Sequence, residues 1–235
     1  MRIAILSDIH GNIFALDAVI KQINEQEIDR VFFLGDLLGY YYFPQKVYQK
    51  LQKIKATSIL GNHEQLLFDC IDGKVQVDQL TTKYGSGHKI ALEQFSTEEI
   101  ENLRNLPEQH FETIEGISIA CFHGSPFDKN FYLYPDTEKD ILLRCVSGAD
   151  FTFVGHSHYP FIVHLANGVL VNVGSVGQSR KKGGLASWCV LNLENSVVEM
   201  QSTHYDIKPL LDLVEKNDPT MSYLSSILKR GLNDE

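Results

Sequence analysis

The chain has 235 residues, of which 43% are hydrophobic and 22% charged, with a formal net charge of −9. That length supports one sizeable α/β core, and the composition is that of an ordinary globular protein. The acidic balance disfavours stable nucleic-acid binding or attraction to an anionic membrane, and no apolar stretch approaches the length of a membrane span.

Arg2 runs directly into a strand-like run, Arg2–Leu6, which leaves no separate apolar leader region and points to a cytoplasmic protein. That run ends in Ser7-Asp8-Ile9-His10. Ile13, Leu16, Val19, Ile20 and Ile23 then recur at helical spacing behind Asn12, a residue suited to capping the helix. A second strand-like run, Arg30–Leu34, ends in Gly35-Asp36, and Pro44–Ile54 reads as a helix with Val47, Leu51 and Ile54 on one face. A third run, 56–60, ends in Gly61-Asn62-His63-Glu64. Residues 64–106 contain no clear strand. Ser96 and Glu99 form a capping box and Pro107 closes the helix that follows, so this stretch is expected to be a helical insertion in one domain spanning 1–235.

The second half changes character. Residues 109–115 and 117–122 predict a hairpin around Gly116, with His123-Gly124 at its end. The run 151–154 ends in Gly155-His156-Ser157-His158. Two further hairpins are expected around Asn167-Gly168 and around Asn195, and helices over 209–214 and 221–232 close the chain. An alternating α/β half followed by antiparallel strands predicts two packed sheets with helices outside. Cys70, Cys121, Cys145 and Cys189 show no CxxC spacing and are expected to be reduced thiols.

Five strand ends therefore deliver Asp, His and Asn side chains, and ligands of open α/β sheets bind beyond the carboxyl ends of strands. Asp8-x-His10 and His156-x-His158 place two side chains each on one side of an extended segment, if the strand geometry continues. Asp8, His10, Asp36, Asn62, His123, His156 and His158 are seven candidate ligands, too many for one tetrahedral ion. A carboxylate shared between two cations, roughly 3.5–4 Å apart, resolves the count and suits phosphoryl transfer. Carboxylate, imidazole and amide donors without thiolate fit two divalent ions, Mn²⁺, Fe or Zn²⁺, with manganese placed first.

The motifs Asp8-x-His10, Gly35-Asp36, Gly61-Asn62-His63-Glu64, His123-Gly124 and Gly155-His156-Ser157-His158 resemble those of the calcineurin-like metallophosphoesterase superfamily. Asn172-Val-Gly-Ser-Val-Gly-Gln-Ser-Arg180 extends the likeness to its small prokaryotic phosphodiesterase-like branch. The resemblance implies a four-layer α/β/β/α sandwich of two mixed sheets. It implies that Asp8, His10, Asp36 and His158 hold one metal, that Asp36, Asn62, His123 and His156 hold the other, that Asp36 bridges them, and that a metal-bridging hydroxide is the nucleophile. His63 matches the non-ligand histidine that protonates the leaving oxygen. The implied activity is hydrolysis of small phosphodiesters or nucleotides. Asymmetrical dinucleoside tetraphosphate hydrolysis, phosphomonoester hydrolysis and a non-catalytic scaffold of the same fold are the alternatives.

Departures narrow the branch. Gly35-Asp36-Leu-Leu-Gly39-Tyr40 lacks the Asp-Arg-Gly of protein serine/threonine phosphatases, and Leu60 rather than Arg precedes Gly61. Val173 and Ser179 stand where the branch has prolines, which predicts a looser loop with unchanged ligands. Arg180, Lys181 and Lys182 either meet a phosphate or form a solvated basic turn. The run Tyr40–Phe43 either stacks on a base or packs beneath the helical insertion. His88, His110, His164 and His204 have no motif context and are expected to be surface or strand histidines.

Overall fold

The computed structural model describes residues 1–146 and 148–231. One five-stranded sheet runs β10 (Val197–His204), β9 (Leu185–Asn192), β1 (Arg2–Leu6), β2 (Arg30–Phe33) and β3 (Thr57–Ser58). The other runs β4 (Gln109–Ile114), β5 (Ile117–Phe122), β6 (Phe151–Val154), β8 (Gly168–Asn172) and β7 (Phe161–Leu165). Both are mixed. β1, β2 and β3 are parallel, as are β5, β6 and β8, and the outer strands β9, β10, β4 and β7 are antiparallel to their neighbours.

Period-two alternation builds the layers. Ile3, Ile5, Phe32, Cys189 and Leu191 face Ile119, Cys121, Phe151, Phe153 and Val171 across the sheet interface. The intervening Ala4, Leu6, Val31, Phe33, Trp188 and Val190 pack on the other side against α1 (Ile13–Glu25) and α2 (Pro44–Lys53). Ala120, Phe122 and Leu170 pack against α7 (Lys139–Cys145). The four layers expected from the sequence are present. The helix α7 carries no clear signal in the sequence, because seven residues give too few turns to establish a periodicity.

Local chemistry fixes the element ends. Asn12 caps α1, its Oδ1 accepting from Ala15 N at 3.1 Å. Four helices lie between β3 and β4: α3 (Asn62–Ile71), α4 (Val77–Tyr84), α5 (Gly87–Gln94) and α6 (Thr97–Arg104), the last with the Ser96/Glu99 capping box. The expected strand over 56–60 shortens to two residues. Ile59 N still bonds to Phe33 O, but Leu60 N turns away to Pro107 O, which ends the ladder one residue before Gly61. α8 (Lys208–Asn217) and α9 (Ser222–Leu228) close the chain, and the expected end at Leu232 lies outside the described residues.

Tyr40, Tyr41 and Tyr42 are buried mainly against α8 and α9, with Tyr84 of α4 at the margin. Asp218, between α8 and α9, fastens this roof. It accepts from Tyr42 Oη at 2.9 Å, Ser86 Oγ at 2.6 Å and Ser86 N at 3.1 Å. Cys121, Cys145 and Cys189 are buried free thiols, and Cys70 is a partly exposed one. Among the described residues no helix is long and apolar enough to cross a membrane.

Candidate metal centre and active site

The carboxyl ends of β1, β2, β5 and β6 and the start of α3 converge on one buried cluster. Asp8, His10 and His158 bring ligand atoms within 4.8 Å of one another, and so do Asp36, His123 and His156. His10, Asp36 and His63 form a third such group, so His63 lies at the edge of the same cluster. Asn62 joins through its Oδ1, 2.9 Å from His123 Nε2. All seven expected ligands and His63 are thus gathered in one place.

The means of convergence differs from the extended geometry expected. Asp8, His10, Asp36, His156 and His158 all have left-handed backbone, with φ between 53° and 62°. The strands have already ended, and each of these five residues sits on a tight turn. His156 and His158 therefore point to different groups rather than to one. Left-handed backbone is uncommon for residues other than glycine and collects at functional sites, where surrounding bonds enforce it. Here Asp8 N and His10 N bond to Gly35 O and Asp36 O, and Asp8 Oδ2 accepts from His156 N at 2.9 Å, tying one sheet to the other.

Hydrogen bonds fix the imidazoles. His10 Nδ1 donates to Leu38 O at 3.0 Å, His158 Nδ1 to Gln178 O at 3.0 Å and His123 Nδ1 to Leu34 O at 2.8 Å. A carbonyl only accepts, so each bond commits the Nδ1 proton and turns Nε2 toward the centre. His156 is held the other way, donating from Nε2 to Asn130 O at 3.1 Å and leaving Nδ1 free for the centre. His10 Nε2 and His158 Nε2 then meet at 3.0 Å, and Asp8 Oδ1 lies 3.1 Å from His158 Nε2 and 3.7 Å from His10 Nε2. Asp8 Oδ1 is buried without a hydrogen bond. Asp36 Oδ2 lies between the two groups, 3.8 Å from His10 Nε2 and 3.3 Å from His123 Nε2. Imidazole nitrogens and carboxylate oxygens crowded in a dry cavity call for positive charge among them, and the donor set fits divalent ions.

The electrostatics agree. Burial opposes ionisation of Asp8 and Asp36, yet His158 beside the one and His123 and His63 beside the other hold both carboxyls well below the usual range. Burial pushes His10 down to about 4, and burial with the neighbouring His123 does the same to His156. Burial would lower His123 as well, but the Asp36 and Asp8 carboxylates raise it to about 10. The centre favours positive charge at that position.

Glu64 is the brace beneath the site. Its carboxylate accepts from Asp36 N, Leu37 N and Gly61 N at 2.8–2.9 Å, joining the Asp36 turn to the Asn62 turn. Burial and the Asp36 charge push Glu64 up to about 7, against the pull of those N–H groups. A Cβ on Gly61 would collide with the Asp36 carboxylate, so glycine is required there. The loop after β8 is well held despite lacking prolines. Asn172 Nδ2 donates to Gly155 O and Ser157 Oγ, and Ser175 Oγ donates to Asp8 O at 2.7 Å.

His63 sits at the start of α3, buried, with Nε2 4.0 Å from Asp36 Oδ2. Burial pushes it well below its usual value, opposed by Asp36. Its ring touches His10, Tyr40 and Tyr84. His88 overturns its sequence expectation. It is fully buried on α5, stacked on His63 at 5.0 Å, with its Nε2 3.3 Å from His63 Nδ1. No strand-end motif marks it, because packing of α5 over α3 brings it there. His110 lies on β4, 3.0 Å from Glu112, while His164 and His204 are exposed on β7 and β10. Tyr40 packs edge-on against His10, with its hydroxyl held neutral by burial. Arg180 is half-buried beside the cluster, facing Tyr132, while Lys181 is exposed.

The calcineurin-like phosphoesterase superfamily domain matches residues 1–196. The chain belongs to that superfamily. It is 31% identical to an uncharacterized protein of Methanocaldococcus jannaschii, with 92% of each chain covered. A hypothetical protein of Pyrococcus horikoshii OT3 has the same fold at a TM-score of 0.85 and 23% identity, covering 98% of both chains. A metallophosphoesterase from Sphaerobacter thermophilus superposes with a TM-score of 0.78 at 22% identity, covering 97% of this chain and 98% of its own.

Proposed function

We propose that this phosphoesterase is a two-metal phosphodiesterase acting on small phosphodiesters or nucleotides. The observation that carries the reading is the anchoring of four imidazoles by backbone carbonyls, which commits one ring nitrogen of each and turns the other toward two buried carboxylates. Asp8, His10, Asp36 and His158 would hold one ion, and Asp36, Asn62, His123 and His156 the other. When bound, such ions supply Lewis acidity for the phosphoryl oxygens and make a water nucleophilic near neutral pH.

The protein's own groups then do the following. Hydrolysis forms a bond from water oxygen to phosphorus and breaks the bond from phosphorus to the leaving oxygen, which needs a proton. His63 donates from Nε2 to that oxygen, while its Nδ1 is engaged by His88. Burial lowers His63, but an anionic ester beside it acts as Asp36 does and favours the protonated ring. Arg180 meets a non-bridging phosphate oxygen. Glu64 keeps Asp36 and Asn62 in register.

The test is a substrate panel with protein stripped of metal and restored with Mn²⁺, Fe²⁺ or Zn²⁺. Metal-dependent hydrolysis of bis(4-nitrophenyl) phosphate well above that of 4-nitrophenyl phosphate is expected. Preference for the monoester, or for dinucleoside tetraphosphates, would replace the substrate class. Two bound metals with no hydrolysis of any ester would leave a scaffold.

A further inference from the structure

Beside His156, tyrosines stand open to solvent. Tyr132 is 44% exposed and its ring lies 4.2 Å from that of His156. Tyr134 is nearly parallel to it, at 11°, with ring centres 6.4 Å apart. Tyr159, 37% exposed, approaches Tyr134 edge-on at 6.3 Å. Tyr134, Pro135, Asp136 and Tyr159 line a recess of about 590 Å³, within the size range of small-molecule sites, ~300–1,000 Å³. Arg180 lies against Tyr132, with its guanidinium carbon 5.8 Å from that ring centre. Tyr40, Tyr132, Tyr134 and Tyr223 surround Arg180, and among the described residues it makes no ion pair with a carboxylate. A half-buried guanidinium with no anionic partner among the described residues, beside exposed aromatic faces and the candidate metal centre, matches a ligand that joins an anion to an aromatic ring.

We propose that Tyr132, Tyr134 and Tyr159 bind the nucleobase or aryl group of the ester that stays on phosphorus, while Arg180 holds the phosphate. The proposal rests on the phosphodiesterase reading and specifies its substrate class. The geometry gives it a direction. His63 packs on His10, Tyr40 and Tyr84, whereas Tyr132 packs on His156. A phosphate between them sends its leaving oxygen toward His63 and its retained substituent toward Tyr132. Asp136 at the recess disfavours a further phosphate there, which selects a nucleoside or aryl monophosphoryl group over a polyphosphate chain.

Two substrates with one leaving group test this: thymidine 5′-(4-nitrophenyl phosphate) and methyl 4-nitrophenyl phosphate. The metal-loaded enzyme should prefer the thymidine ester in kcat/KM by on the order of 10-fold or more, the usual worth of stacking one base. That ratio should collapse toward one in Tyr159→Ala and Tyr132→Ala and persist in Tyr132→Phe. Equal kcat/KM in the wild type, or a ratio unchanged in both alanine variants, overturns the subsite. If neither ester is hydrolysed, the phosphodiesterase reading fails separately, and binding decides the subsite. AMP should then bind on the order of 10-fold tighter than ribose 5-phosphate by calorimetry, with the difference lost in Tyr159→Ala. Equal affinity of the two overturns it.

Discussion

The floor and the roof of the site hold their histidines in different ways. On the floor, His10, His123, His156 and His158 sit on turns after strands, and each gives one ring proton to a backbone carbonyl. On the roof, His63 and His88 meet through their ring nitrogens and stack, between α3 and α5 and beside Tyr40 and Tyr84. Carbonyls are rigid acceptors, so on the floor one nitrogen of each ring is committed outward and the other is turned to the centre, where a cation would displace any proton it carries. A pair of rings can exchange donor and acceptor roles, as proton transfer requires. On the proposed reading, the difference separates groups that would bind a cation from groups that would move a proton.

The largest effect should come from the floor. Asp36 Oδ2 faces both groups, so Asp36→Asn should lose both metals and abolish turnover. His158→Ala should deplete mainly the ion near Asp8. Metal analysis of the two purified variants checks this, and equal losses in both would remove the distinction between a shared and a single-site ligand. On the roof, His63→Ala should keep both metals while kcat falls by on the order of 10²–10⁴, the usual worth of general acid catalysis. The loss should be steep for alkyl leaving groups and slight for nitrophenolate, which departs without a proton. A metal deficit in this variant would move His63 into the ligand set, where its distance from Asp36 also allows it.

The same division explains what could be read from the sequence. The floor was legible because each ligand follows an apolar run by a few residues, and parallel strands of one sheet must end at one edge. The hairpins at Gly116, Asn167 and Asn195 and the caps at Asn12 and Ser96 were legible for the same local reason. What failed was conformation and distance. Alternation along a strand suggested how Asp8 and His10 converge, but left-handed turns do it, and these are enforced by bonds to Gly35 and Asp36 that are remote in sequence. His88 was invisible because a buried histidine on a short amphipathic helix has the same sequence pattern as a surface one. Only the packing of α5 over α3 distinguishes them. Tyr132, Tyr134 and Tyr159 lie on loops that carry no periodicity at all.

A smaller effect probes the roof pair. His88 touches His63, so under the proposed mechanism it would act as a positioning residue. His88→Ala should lower kcat by roughly 10–100-fold, the range typical of residues that orient a functional group, with metal content and KM little changed. His88→Gln, which keeps a polar partner for His63 Nδ1, should recover part of the loss. The ¹⁵N spectrum of metal-free protein should show the His63 tautomer balance shift in His88→Ala. An unchanged tautomer balance together with a uniform fall in stability would make His88 a packing residue only.

The smallest effect is a pH dependence of stability, opposite in sign for His123 on the floor and His88 on the roof. In metal-free protein His123 is raised to about 10 by Asp36 and Asp8 after burial is overcome. A raised pKa contributes stability that is fully present below the unfolded value, ~6.5, and is lost as pH rises toward 10. His88 is lowered to about 4 by burial. Its contribution is present above ~6.5 and is lost as pH falls toward 4, because the unfolded chain takes up the proton first. Between pH 8 and pH 5.5 the His88 contribution amounts to about 1 kcal/mol. Urea unfolding of EDTA-treated protein should therefore give a shallower decline on the acid side for His88→Gln than for wild type. His123→Gln should instead flatten the decline between pH 7 and 9. Each slope is read within one variant, so a constant loss of stability from the substitution does not interfere. If His88→Gln keeps the wild-type acid limb, the buried ring already shares a proton with His63 above pH 5.5, and the roof pair is charged as His123 is.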